Sequence, residues 1–251
     1  MRSFGTPTRT KYNHAGKNYG RTWRNERTQS KRNWRAILSI TVNQMKTNIN
    51  EIKILYFDTE TTGFVRSELP LEDQPYIIQI GSICEGGEGT GGILDALFSP
   101  DGHIPDTTTR IHGITNAMVQ NRPKFYESRE FGQLLRLMEW ADVIVGHNVK
   151  FDIDMMEVEL QRMTEYLFPE KRAWVVPFIE KIRKKSFCTM KGSIDFVQKP
   201  GKFGSYGWPK LDELHFKCFG CYFDNAHNAL ADIQATKKCF QYLYENWLIE
   251  L

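Results

Sequence analysis

The chain has 251 residues, 41% hydrophobic and 13% aromatic, which is enough apolar material for one substantial core. That composition excludes an intrinsically disordered chain, and no run approaches the roughly 18 to 20 apolar residues that cross a membrane. The net charge of +3 conceals a division: residues 1–44 carry ten Lys or Arg against Glu26 alone, so everything after them is net acidic. Five dispersed cysteines, an odd number, favour reduced thiols in a cytoplasmic compartment over a disulfide framework.

In chain order, residues 1–44 show neither helical nor strand periodicity and are expected to form a disordered basic arm. Such an arm suits an electrostatic tether to phosphates, with Tyr12, Tyr19, Trp23 and Trp34 available for base stacking. The alternative is a start at Met45, just ahead of the first strand. That strand is expected over residues 52–60, a second over 76–83, and a Gly-rich turn, 86–92, leads into a third over 93–98. Thr115 or Asn116 is placed to cap a short helix. Apolar spacing predicts a helix over 128–140, a doubly buried strand over 142–146 and a helix over 151–166. A short helix over 175–182, a last strand over 186–190, a loop over 199–210 and a final helix over 228–248 complete the reading. Three antiparallel strands followed by alternating helix and strand imply an α/β fold with a mixed central β-sheet covered by helices.

The chemistry gathers on the first strand, which ends in Asp58 and Glu60. Residues two apart on a strand share a face, and two like charges that close raise each other's pKa unless a cation intervenes. Carboxylate oxygens suit Mg²⁺ or Mn²⁺ better than zinc. Asp152 and Asp232 lie near the starts of later helices. If those helices pack beside the first strand, four carboxylates converge, and two divalent ions about 4 Å apart would neutralise them. His227 precedes Asp232 by five residues, which would turn them roughly 140° apart on one helix. It is therefore expected on the loop leading into that helix, where an imidazole can accept a proton from water near neutral pH.

The stretches Phe57-Asp58-Thr59-Glu60-Thr61-Thr62-Gly63, His147-Asn148-Val149-Lys150-Phe151-Asp152 and His227-Asn228-Ala229-Leu230-Ala231-Asp232 resemble the three exonuclease motifs of the DEDDh family. Ile111-His112-Gly113-Ile114-Thr115 looks like the segment typical of proofreading subunits of bacterial DNA polymerase III. The similarity runs from about residue 52 to 243; the arm and residues 169–185 fall outside it. The resemblance implies an RNase H-like fold and 3′→5′ removal of nucleotides as 5′-monophosphates, with two divalent ions, Mg²⁺ or Mn²⁺. Asp58, Glu60 and Asp232 would hold the tighter ion, Asp58 would bridge to the second, Asp152 would assist, and His227 would be the general base. Thr61, Thr62 and Gly63 would cradle the terminal nucleotide, while His112, Ile114, Asn148 and Phe151 would line its pocket. The implied partners are single-stranded DNA or DNA 3′ ends and a DNA polymerase, in proofreading or repair. RNA trimming by the same chemistry and a catalytically silent docking module are the competing readings.

Two smaller signals remain. The loop over 199–210 mixes Lys with Phe203, Tyr206 and Trp208, which suits single-stranded substrate. Cys218, Cys221 and the nearby His215 raise zinc, but one CxxC without a second pair reads better as buried thiols.

Overall fold

A computed structural model describes residues 49–87 and 92–251. The basic arm expected over residues 1–44 lies outside the described residues, as does the tip of the Gly-rich turn. The first strand, β1 (Ile54–Thr61), occupies the centre of a five-stranded sheet in the order β3-β2-β1-β4-β5. Strands β2 (Ile77–Glu85) and β3 (Gly92–Leu97) pair antiparallel as a meander, whereas β4 (Val143–Gly146) and β5 (Ser186–Cys188) run parallel to β1. The mixed sheet is the expected one.

Side-chain alternation along β1 divides the core. Leu55 and Phe57 join one apolar cluster with Leu134 and Met138 of α3 (Arg129–Trp140), Ile153 and Leu160 of α4 (Val149–Tyr166), and Phe178 and Ile182 of α5 (Arg172–Lys184). Ile54 and Tyr56 face the other way, onto Ile233, Phe240 and Leu243 of α9 (Ala229–Glu245). A strand buried on both faces must be a continuous apolar run, and Ile54 through Phe57 are each at most 1% exposed. The shorter helices are α1 (Asp106–His112), α2 (Asn116–Val119), α6 (Thr189–Gly192), α7 (Ile194–Val197) and α8 (Leu211–Phe219).

Several boundaries differ from the sequence expectation. Ser128 caps α3 through its side chain, accepting from the Phe131 N–H, and Asn228 caps α9 in the same way. Thr115 stands at the start of α2 without a side-chain cap, and Asn116 accepts instead from the Ile104 N–H at 2.9 Å. The last strand stops at Cys188, and the chain coils directly into α6. Helix α5 is longer than expected and carries Pro177 within it. Helices α1, α6, α7 and α8 were not expected. Among the described residues, no helix is long and apolar enough to cross a membrane.

Candidate catalytic and metal site

Asp58 and Glu60 point to the face of β1 that α9 covers, as Ile54 and Tyr56 do. Helix α9 lies close because its partner on the sheet has no side chain. Gly81 of β2 pairs with Asp58, and a Cβ there would sit 2.5 Å from the Ala229 carbonyl carbon and oxygen. Gln79, two residues away, accepts from the Ala229 N–H at 3.3 Å and fixes the helix start. This seat delivers Asp232, in the first turn of α9, to the two carboxylates of β1. One ligand oxygen from each of Asp58, Glu60 and Asp232 lies within 4.8 Å of the others.

Asp152 reaches the site from the opposite side. Its carboxylate, 2% exposed in the first turn of α4, accepts from the Thr59 N–H at 3.0 Å and the Thr59 hydroxyl at 2.8 Å. Thr59 alternates with Asp58 and Glu60, so it faces α4 where they face α9. The sequence expectation of four convergent acids therefore resolves into three in mutual reach and a fourth tethered through Thr59.

The electrostatics follow from burial and crowding. Burial lifts the Asp58 carboxyl well above its usual range, and Asp152, Asp232 and Glu60 add repulsion. Glu60 is pushed up to about 8 by burial, then by Asp232 and Asp152. Burial raises Asp152 to about 7 against the opposing Thr59 hydrogen bonds. Asp232 rises to about 6, again by burial, with the His227 N–H opposing. An all-oxygen set that repels itself this strongly fits hard divalent cations. Among the described residues it is the only group of three or more candidate ligands placed to share an ion.

His227 stands on the loop before α9, as expected. Its backbone is left-handed (φ 68°), and its N–H is shared between the two Asp232 oxygens, 3.2 Å from each. His112 ends α1; its Nδ1 accepts from the Ile114 N–H at 3.0 Å, and its Nε2 is buried. Burial lowers the His112 pKa, the Thr61 backbone opposes the shift, and the charge of His227 adds to it.

Four of the residues expected around the terminal nucleotide line two cavities. Thr62 and Gly63 line a cavity of 480 Å³ with Phe64 and Tyr76, whereas His112 and Ile114 line another of 560 Å³ with Gln79 and Asn228. Ile114 also packs into a small apolar cluster with Ile78 and Val119. Thr61 donates its hydroxyl to the Gly63 carbonyl at 2.7 Å, and Thr62 Oγ1 accepts from the Tyr76 N–H at 2.9 Å. Asn148 is exposed with φ 70°, and Phe151 is edge-on to Phe64 at 5.5 Å. Thr59, Gly81 and Phe64 are the residues that sequence reasoning missed. Period-two alternation pointed to Thr59, and the exposed Phe64 follows the motif directly.

Among the described residues, His215, Cys218 and Cys221 are not placed together as candidate ligands of one ion. His215 Nδ1 is 2.8 Å from the Cys221 carbonyl oxygen, Cys218 is hydrogen-bonded to Cys239, and all five thiols are free. Cys221 is exposed rather than buried, which corrects the expectation for that residue.

A family model described as exonuclease matches residues 55–240. A 105-residue stretch is 35% identical to the DNA polymerase III subunit epsilon of Treponema pallidum, covering 41% of this chain and 44% of that protein. An uncharacterized exonuclease of Escherichia phage 186 is 29% identical over 202 residues, 80% of this chain and 93% of its own. Among solved structures, E. coli exonuclease I in complex with a dT13 oligonucleotide superposes with a TM-score of 0.54 at 18% identity, over 76% of this chain and 41% of that one. A 3′-exonuclease described in recognition of a histone mRNA stem-loop gives 0.56 at 14% identity, over 87% and 72%. The chain spans less than half the length of some curated relatives, 44% of the Treponema protein and 15% of an epsilon-like protein of Rhodobacter capsulatus. The structural likenesses speak to the fold alone.

Proposed function

The chain belongs to the DnaQ-like 3′→5′ exonuclease family, and from that premise we propose that it removes nucleotides one at a time from the 3′ end of DNA, single strands preferred. The observation that carries this reading is the acid cluster: Asp58, Glu60 and Asp232 in mutual reach, with Asp152 tethered to Thr59. These four residues would hold two divalent ions, Mg²⁺ or Mn²⁺. Such ions, when bound, neutralise phosphate charge and make water acidic enough to attack near neutral pH.

The protein's own groups do the rest. His227 takes the proton of the attacking water; its position before α9 is fixed by the N–H bond to Asp232. Water adds to the terminal phosphorus, the bond to the 3′-oxygen of the preceding nucleotide breaks, and a nucleoside 5′-monophosphate leaves. Thr61, Thr62 and Gly63 hold the terminal nucleotide, with His112, Ile114, Asn148 and Phe151 on its base and sugar. Phe64, 76% exposed beside Phe151, extends that apolar wall. A silent docking module would have no use for carboxylates that repel one another inside the fold.

The polymerase III epsilon relatives and the His112-Gly113-Ile114 segment favour DNA and a proofreading or repair role beside a DNA polymerase. The cytoplasm suits a chain whose five thiols are all free. RNA trimming is the runner-up, since a phosphodiester with a neighbouring 2′-hydroxyl presents the same reacting atoms. Purified protein with Mg²⁺ or Mn²⁺ and 5′-labelled single-stranded DNA and RNA of one sequence separates the readings. We expect a ladder that shortens from the 3′ end, faster on DNA. Faster digestion of RNA would reverse the substrate, and no digestion of either would overturn the proposal.

A further inference from the structure

Residues 199–210 form a pinned hairpin rather than an ordinary surface turn. Pro200 bridges Tyr206, the Gly201 N–H donates to the Ser205 carbonyl at 2.9 Å, and the Gly207 N–H donates to the Lys199 carbonyl at 2.8 Å. Gly201 has no room for a side chain, because a Cβ would stand 2.7 Å from the Ser205 carbonyl oxygen. At the tip, Phe203 adopts φ 56°, a left-handed conformation uncommon for a bulky residue, and its ring is 103% exposed. Tyr206 and Trp208 are 47% and 64% exposed. Three aromatic rings held out in water by an ordered backbone, one of them in a strained conformation, call for an occupant.

The hairpin is rooted on the candidate site. His147 lies just after β4, next to Asn148, and its Nε2–H donates to the Pro209 carbonyl at 3.1 Å. Its Nδ1 lies 3.0 Å from the Thr189 hydroxyl oxygen, and that hydroxyl donates to the Gly146 carbonyl at 3.3 Å. Charge at the hairpin suits a polyanion. Lys199 is paired to Glu213 at 2.8 Å, while Lys202, one residue before Phe203, carries no ion pair among the described residues.

We propose that this hairpin is a stacking finger, on which unpaired bases upstream of the 3′ end rest against Phe203, Tyr206 and Trp208 while Lys202 meets the backbone phosphates. The occupant is a single-stranded polynucleotide, because stacking accepts every base and an unpaired strand exposes its faces. The inference rests on the 3′→5′ reading, which puts a strand end at the acid cluster.

The test is equilibrium binding of the full chain, in Mg²⁺, to fluorescent oligothymidylate and oligouridylate of about ten nucleotides. A methylphosphonate at the 3′-terminal linkage blocks turnover. Phe203→Leu and Trp208→Leu, which keep bulk but lose the aromatic face, are each expected to raise Kd about 5- to 100-fold. Phe203→Tyr should bind as the wild type does, and the unfolding midpoint of Phe203→Leu should stay put because the ring supports nothing. Wild-type Kd values for both Leu variants, or no binding by the wild type, would overturn the finger. Failure of the catalytic reading looks different: binding that depends on the rings, but no digestion of an ordinary oligonucleotide.

Discussion

Thr59 gives both its backbone N–H and its hydroxyl to Asp152, and that makes it the residue on which the fourth carboxylate depends. Thr59→Val keeps the shape and removes one bond to a buried acid, so it should lower the rate about tenfold. Thr59→Ser should restore most of it; equal rates in Thr59→Val and wild type would detach Asp152 from the mechanism. His227→Ala should leave oligonucleotide binding largely intact and cut the rate by roughly 10² to 10⁴. An undiminished rate would remove the imidazole from the reaction. At this scale the sequence was informative where chemistry and spacing coincide. Asp58 and Glu60 announce themselves as two acids ending an apolar strand, and His227 was placed on the correct loop by its angular mismatch with Asp232. What stayed hidden was the side of the sheet from which Asp152 arrives, because that depends on which helix packs against which face.

The position of one helix decides whether the acids meet. Helix α9 touches the sheet over Gly81, and Gly81→Ala would force the Ala229 carbonyl away and carry Asp232 with it. Activity should then fall by more than stability alone explains, read as a loss of rate in protein still folded by circular dichroism. Full activity in Gly81→Ala would contradict the seating. A second anchor holds the segment before β2. Arg162, 0% exposed, donates to the Pro75 carbonyl at 2.9 Å, the Gln74 carbonyl at 2.6 Å and Glu159 at 3.1 Å, with its guanidinium 3.6 Å over the Tyr76 ring. Tyr76 in turn holds Thr62. Arg162→Met leaves Glu159 buried and unpaired and should cost about 3–5 kcal/mol in urea unfolding. The strands and α3, α4 and α9 were legible because each has one dominant hydrophobic period. Helix α8 was not, because Leu211, Leu214 and Cys218 repeat at helical spacing among glycines and exposed aromatics that mask it. Pro177 likewise concealed the true length of α5.

For the molecule as a whole, the acid cluster links stability to pH and to metal. The Glu60, Asp152 and Asp232 carboxyls are raised to about 8, 7 and 6 in the fold. A raised carboxyl binds its proton more tightly in the folded state, so the stability it contributes is complete below its unfolded pKa of about 4. That contribution is lost as pH rises through about 6 to 8. Metal-free protein should therefore unfold at a lower temperature at pH 8 than at pH 5, and Mg²⁺ should raise the midpoint more at pH 8, where the ligands are ionised. An equal Mg²⁺ effect at both values would mean that these acids do not hold the ion. The most direct measurement is digestion of a 5′-labelled single-stranded oligonucleotide in Mg²⁺ by the wild type and by Asp58→Ala. The account predicts stepwise shortening from the 3′ end by the wild type and an uncut strand with Asp58→Ala; equal digestion by the two proteins would contradict it.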